Sequence, residues 1–355
     1  MTHALVIVCG SALGVMFFGF TVSGSVHATA TAKAKTFVGS DVAAIVPPNP
    51  PPLRGVGIPA TQVVIADAFF SGTSRGVTLL GIDPETFADA AFWDEAFADQ
   101  DLDALVAAVD ASDSGDVPVV ASGLAGVGVV ELEGVDVRLE IVGRAESFPG
   151  TRARQPLLAM TKDSLTRVVR AGGSYITTHQ VWAKGTPEAV TTALRGAEVT
   201  FYQLLTTDEV LDTPILQSLL WSLGLLGAVG ALASGAALVG LSLYLQARHT
   251  AAQVATALTR RMAFPRAQEL LSSVAEIGGA GAASFLVGAG TGIVTAALVN
   301  EQLDIQPALS PDPVLVLPAA IVAVAGVAVV AVAIGTAWRL QRRMDRTSVG
   351  EVMRV

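Results

Sequence analysis

The chain has 355 residues, 52% of them hydrophobic and only 15% charged, with a mean hydropathy of +0.57 and a net charge of −9. Soluble proteins carry about 25% charged residues, so a single soluble globule or a disordered chain does not fit. The acidic balance excludes a nucleic-acid binder, which needs a basic face, and the lone Cys9 excludes an intrachain disulfide.

The first element is an apolar run from Ala4 to about Val26 with no Asp, Glu, Lys or Arg. It is long enough to cross a bilayer. Two readings stand: a retained helix, or a signal peptide cleaved after Ala28-Thr29-Ala30. The length of the run and the lack of a preceding basic residue favour the helix, and both readings deliver the next segment outside the cell.

That segment, Lys33 to Asp212, holds 13 basic and 24 acidic residues, a net of −11, which leaves +2 for the rest of the chain. Residues 37–52 include VPPNPPPL, an extended connector. TQVVIADAFF and VTLLGI have the β-branched content of strands. DPETFADAAFWDEAF is expected to be a helix starting at Asp83-Pro84, with Phe87, Phe92 and Phe97 on its apolar side. GVGVVELEGVDVRLEIVGRAESF alternates in two runs broken at Gly134, a hairpin or meander. PLLAM and KDSLTRVVR predict a strand and a helix. VWAKG, TPEAVTTALRG and AEVTFYQLL predict strand, helix, strand, with Thr186 capping the helix and Pro187 in its first turn. The domain is therefore α+β, in one lobe or two.

Three more uncharged runs follow, between Asp212 and Arg248, Glu276 and Glu301, and Asp312 and Arg339. None has the polar stripe of a helix half-buried in a soluble core. The link after the second run carries Arg248, Arg260, Arg261 and Arg266, and the tail carries Arg339, Arg342, Arg343, Arg346 and Arg354. The link between the third and fourth runs has Glu301, Asp304 and Asp312 but no Lys or Arg. Basic loops stay cytoplasmic, so the second link and the tail read as inside and the acidic domain as outside. The expected fold is a membrane protein with four transmembrane α-helices and an α+β extracytoplasmic domain inserted between helices 1 and 2. Its boundaries are 1–32 for the first helix, 33–212 for the outer domain and 213–355 for the remaining helices, with the link at 248–275.

Sites of chemistry are scarce. His3, His27, His179 and His249 are too scattered for a metal site, and no Gly-x-Ser-x-Gly elbow occurs. The acidic run Asp94, Glu95, Asp99, Asp101 and Asp103 lacks the glycine and spacing of a calcium loop and reads as solvated surface. No phosphate-binding P-loop is present, so any ATP must act through another polypeptide. The chain is expected to be a non-catalytic subunit that binds no cofactor directly. In the third run, Gly281, Ser284, Gly288 and Gly292 share one helical face, and in the second Gly227/Ala231 and Gly230/Ser234 are close-approach pairs. These serve helix packing within the chain or dimer contact, and both readings stand.

The most specific signal is the link LQARHTAAQVATALTRRMAFPRAQELLSSVAE, where apolar Leu258, Met262 and Phe264 are interleaved with arginines. With its order of one span, a large outer domain and three spans, the chain resembles the FtsX-like (MacB/LolC type) ABC transporter permeases. Their link pattern is matched by Leu258, Met262, Phe264, Arg266, Gln268 and the span-entrance carboxylate Glu276, with Ala263 where the family has glycine and a less usual Pro265. Their tail pattern is echoed by Glu351, Met353 and Arg354, with Val349 in place of proline. Only Met1-Thr2-His3 precedes the first run, where the family has an amphipathic helix, and the chain resembles the C-terminal unit of a large actinobacterial permease standing alone.

The resemblance implies a bacterial plasma-membrane permease whose partners are an ABC ATPase docking on Leu258, Met262, Ala263, Phe264, Arg266 and Gln268, a second permease unit, and membrane lipid. It implies export or extraction of a lipid, lipoprotein or other apolar substrate. The alternatives are ATPase-driven transmission to an outside partner such as a cell-wall hydrolase, and an anchored receptor domain without an ATPase.

Overall fold

The computed structural model describes residues 2–53, 55–111, 116–124, 128–135, 137–152, 155–172, 176–251, 266–304 and 306–346. The chain divides into two compact units. One comprises Met1–His27, Ser218–Leu303 and Val314–Val355; the other comprises Ala28–Gln217 and Asp304–Pro313.

The first unit is helical. Its helices are α1 (Thr2–Val38, running on into the second unit), α7 (Pro214–Ala251), α8 (Arg266–Asn300) and α9 (Ala319–Arg346). All four are long and apolar enough to cross a membrane. α1 is the hub. A Cβ on Gly19 would lie 2.5 Å from the Gly227 nitrogen, and one on Gly230 would lie 2.5 Å from the Met16 nitrogen, so α1 and α7 meet backbone to backbone. Phe17 of α1 meets Phe285 of α8 edge to face, with ring centroids 5.6 Å apart. Cys9 is buried among Leu241, Ala333 and Ala337, from α7 and α9. Ser25 Oγ accepts from the Val316 N–H at 2.9 Å and donates to Thr21 O at 2.7 Å. Outward faces keep large apolar side chains exposed, among them Trp221, Leu232, Leu298 and Val324.

The second unit is an α+β domain on one nine-stranded mixed sheet, ordered β5-β6-β4-β7-β3-β2-β8-β1-β9. The strands are β1 (Val42–Val46), β2 (Ala60–Phe69), β3 (Gly76–Ile82), β4 (Val117–Ser122), β5 (Val129–Glu131), β6 (Arg138–Ala145), β7 (Leu157–Thr161), β8 (Thr177–Ala183) and β9 (Gln203–Thr206). The pairs β3/β7 and β4/β6 are parallel and the other pairs antiparallel. Its helices are α2 (Phe87–Ala90), α3 (Leu102–Asp110), α4 (Lys162–Gly172), α5 (Pro187–Gly196) and α6 (Thr207–Leu211). The sheet is continuous, so the two-lobe reading does not apply. What exists instead is one sheet with a core on each face. Because side chains alternate along a strand, Val42, Ala44, Val181 and Ala183 pack under Val190 and Leu194 of α5, while Ala43 and Trp182 join the opposite core.

Several expected elements are found where their patterns lie. α5 starts at Pro187 with Thr186 Oγ1 accepting from the Ala189 N–H. β5 and β6 form the hairpin across Gly134. The long helix expected over DPETFADAAFWDEAF is not formed. It shrinks to the single turn α2 and a 3-10 turn at Glu95–Phe97. Tertiary burial overrides helical spacing here. Phe87 stacks on Phe148 at 5.7 Å, while Trp93 and Phe92 both meet Phe97 edge to face. The Phe92 N–H is also diverted to Gly39 O. The expected connector over 37–52 contains the end of α1 and strand β1, second from one edge of the sheet, before its prolines.

Candidate functional site

Of the residues singled out in the link, Leu258, Met262, Ala263 and Phe264 lie outside the described residues. Arg266, Gln268 and Glu276 fall on the backbone of α8, with their side chains outside the described part. The small-residue face of α8 is described, and it turns onto the chain's own helices. A Cβ on Gly288 would stand 2.6 Å from both Gly10 O and Leu13 Cβ, and one on Gly292 would stand 2.5 Å from Gly14 O. The Ser284 carbonyl faces Gly10, and Gly281 faces Val329 of α9. Gly290, by contrast, has open space where a Cβ would be.

Side chains at 288 or 292 would strike backbone, which cannot rotate away. Gly288→Leu is therefore expected to destabilise the helical unit by about 1–3 kcal/mol, and Gly290→Leu to leave it unchanged. Detergent-resistance of the purified full chain measures this. In a Cys9→Ser background, Gly10→Cys with Val287→Cys should give an intramolecular disulfide, since the two Cβ positions lie 3.6 Å apart. A crosslinked dimer from that pair would reassign the face to contact between copies.

The second feature is the neck of the α+β unit, where α1 enters and the chain leaves for α7. α1 is unbroken through Ala28-Thr29-Ala30 and ends only at Gly39, whose φ of 90° is the left-handed stop that glycine allows. Its exposed carbonyl ends are satisfied from the domain and its own turn: Gly150 N–H donates to Thr36 O and Gly39 N–H to Lys35 O, both at 2.8 Å. Thr36 and Val38 are buried, and Val38 belongs to the main core. A Cβ on Gly39 would press on the Trp182 indole, 2.5 Å from Cζ2 and Cζ3. Trp182 itself is fully buried against Phe87, with Nε1 donating to Gln180 Oε1 at 2.8 Å.

Asp41 then stitches three segments together. Its Oδ1 pairs with Lys35 Nζ at 2.8 Å, in the last turn of α1, where a cation also suits the helix dipole. Its Oδ2 accepts from the Gly185 N–H at 3.0 Å, just past β8. Its main-chain oxygen accepts from the N–H and Oγ1 of Thr207, at 3.2 and 3.0 Å, where α6 begins. Entry and exit strands pair directly, Val42 opposite Thr206. Incoming and outgoing chain are thus held at one residue, the end of α1 by its carboxylate and the start of α6 by its main-chain oxygen. Sequence reading missed this neck. Its signal was a glycine after a lysine-bearing helix end, followed by Ser40 and Asp41.

The third feature is the loop Asp304–Pro313 between α8 and α9, which belongs to the α+β unit. Lys33 of α1 holds it. Lys33 Nζ lies 2.5 Å from Asp304 Oδ2 and 2.7 Å from Gln306 O, and both charged side chains are only 6% exposed. The boundary expected between residues 32 and 33 therefore falls inside α1, and the expected 213–355 block gives up this loop to the other unit.

The acidic run is divided by the fold. Asp94 Oδ1 caps the 3-10 turn by accepting from the Ala96 N–H at 3.0 Å, and Asp101 precedes α3, with Asp103 in its first turn. Glu95 and Asp99 line an open groove of about 920 Å³ with Arg144 and Glu146. Burial holds the His179 imidazole on β8 below its ordinary value of 6.5. Among the described residues no three His, Cys, Asp or Glu side chains converge as a metal site would require.

One helix is built into a domain core, its entry and exit strands are clamped, and a distant inter-helix loop is latched to the same helix. No family model and no curated protein matches the chain.

Proposed function

We propose that the chain is the membrane-spanning permease subunit of an ATP-driven transporter. A separate ATPase docks on the 258–268 link, and the helices carry its motion to the α+β domain outside, for export or extraction of an apolar substrate such as a lipid or lipoprotein. The chain itself performs no chemistry. The observation that carries this reading is the way α1 is built into the core of the α+β unit. α1, roughly 55 Å long at 1.5 Å per residue, ends inside the domain core, and its Lys33 latches the loop that joins α8 to α9. Displacement of α8 and α9 would reach the domain through that loop, and displacement of α1 would reach it through Gly39 and Trp182.

The aromatic positions support a membrane setting. Trp221 and Tyr244 lie roughly 35 Å apart along α7, matching a hydrocarbon core of about 30 Å flanked by interfacial aromatics. Arginines cluster beyond Tyr244 and beyond Trp338, on the side assigned to the cytosol.

Affinity purification of the full chain from its native membrane is expected to bring an ABC ATPase with it. Phe264→Ala with Arg266→Ala should cut that recovery by more than about tenfold, the loss of two anchor residues from a small interface. Recovery of no ATPase, together with labelling of a cysteine at Ala263 from outside the cell, would overturn the proposal.

A further inference from the structure

One surface of the helical unit is not explained by packing or by transmission. Along α9, Val324, Val327, Val330, Ile334 and Trp338 are all more than half exposed. Their spacings of three and four residues place them on a single stripe. The stripe stretches roughly 20 Å at 1.5 Å per residue and ends abruptly in charge. Arg342, one turn beyond Trp338, lies with its guanidinium carbon 3.6 Å from the centre of the indole ring. Arg339 is exposed beside it, and the segment Arg339–Arg346 holds four arginines against the single Asp345. An apolar strip of acyl-chain length, an aromatic ring at its end and cationic forks beyond the ring together have the outline of one amphiphile with a negative head.

We infer that this flank of α9 is a binding site for an anionic phospholipid. The acyl chain lies along Val327, Val330 and Ile334, the glycerol region lies at Trp338, and the phosphate sits on Arg339 and Arg342. A guanidinium stacked on a ring is held in place while its edge N–H groups stay free for phosphate oxygens. A zwitterionic headgroup offers the same phosphate with a compensating cation, so the arginine pair selects the lipid with net negative charge. The inference rests on the membrane setting of the four helices and not on the ATPase. An acidic protein surface suits it less, because such a partner would leave the apolar stripe uncovered.

The test uses the full chain with Trp221→Phe, so that Trp338 is the indole on the membrane-spanning helices, reconstituted in phosphatidylcholine vesicles. Bromine-labelled phosphatidylglycerol or bromine-labelled phosphatidylcholine is added at equal mole fraction, and tryptophan quenching is read. Labelled phosphatidylglycerol is expected to quench as though enriched about fivefold around Trp338. The excess should vanish in Arg339→Gln/Arg342→Gln and persist in Arg339→Lys/Arg342→Lys, while quenching by labelled phosphatidylcholine stays the same in all three. Equal quenching by the two lipids, or an excess that survives the glutamine variant, overturns the lipid site and leaves the membrane setting intact. No quenching by either lipid overturns both.

Discussion

Replacing Lys33 by methionine is expected to lower the unfolding free energy of the α+β unit by about 3–5 kcal/mol, and replacing Asp304 by leucine should do the same. The reason is burial. Both side chains are 6% exposed, so removing one partner leaves the other as an uncompensated charge away from water. Lys33 also donates to Gln306 O, so its loss frees a main-chain acceptor as well. The double variant Lys33→Met/Asp304→Leu has no orphaned charge and is expected to recover most of the loss, since an apolar pair of similar volume often replaces a buried ion pair at little cost. Denaturant midpoints of the purified full chain, followed by the fluorescence of the buried Trp182, give the four values of the cycle. A single variant that unfolds with the parent would show that Lys33 and Asp304 do not meet in a dry site.

Gly39→Ala should cost about 2–5 kcal/mol, combining strain at positive φ with overpacking against a rigid ring. The backbone sits at φ 90°, where an L-residue is disfavoured, and the added methyl group would enter the space of Trp182. The indole has no room to retreat. It lies against Phe87 on one side and close to Gly150, where a Cβ would again come within 2.8 Å of its Cη2. A smaller ring should relieve the clash, so Trp182→Phe combined with Gly39→Ala is expected to lose less than the sum of the two single losses. Additive losses in that cycle would mean that the helix stop and the indole act independently, and the rigid joint between α1 and the domain core would lose its basis.

How much of this was legible beforehand differs by element. The four apolar helices were readable, because spans of uncharged residues have few other fates. The strands β2, β3, β6, β7 and β8 and the helices α4 and α5 were readable from their periodicity and, at Thr186-Pro187, from capping chemistry. Two strands were missed, β1 and β4. VAAIV and VPVVAS are short apolar runs beside prolines or charged turns, and a strand buried on both faces shows no alternation. The 15-residue helix expected at Asp83 failed because Phe87 is drawn to Phe148 while Phe92 and Phe97 pack on each other, and steps of five residues do not keep the three rings on one helical face. The glycine face of α8 was visible, but its partner was not, since a close-approach motif does not say which backbone it approaches.

The sequence by itself determined composition, the apolar spans, the acidic insert and the type of most local elements. Each follows from hydropathy and backbone preference within a window of some ten to twenty residues. Only the tertiary structure decided that α1 continues into the core, that Asp41 holds the entering and leaving chain together, and that Lys33 finds Asp304 some 270 positions away. Such contacts depend on which surfaces meet once the sheet is ordered, and no local pattern encodes a partner so distant along the chain.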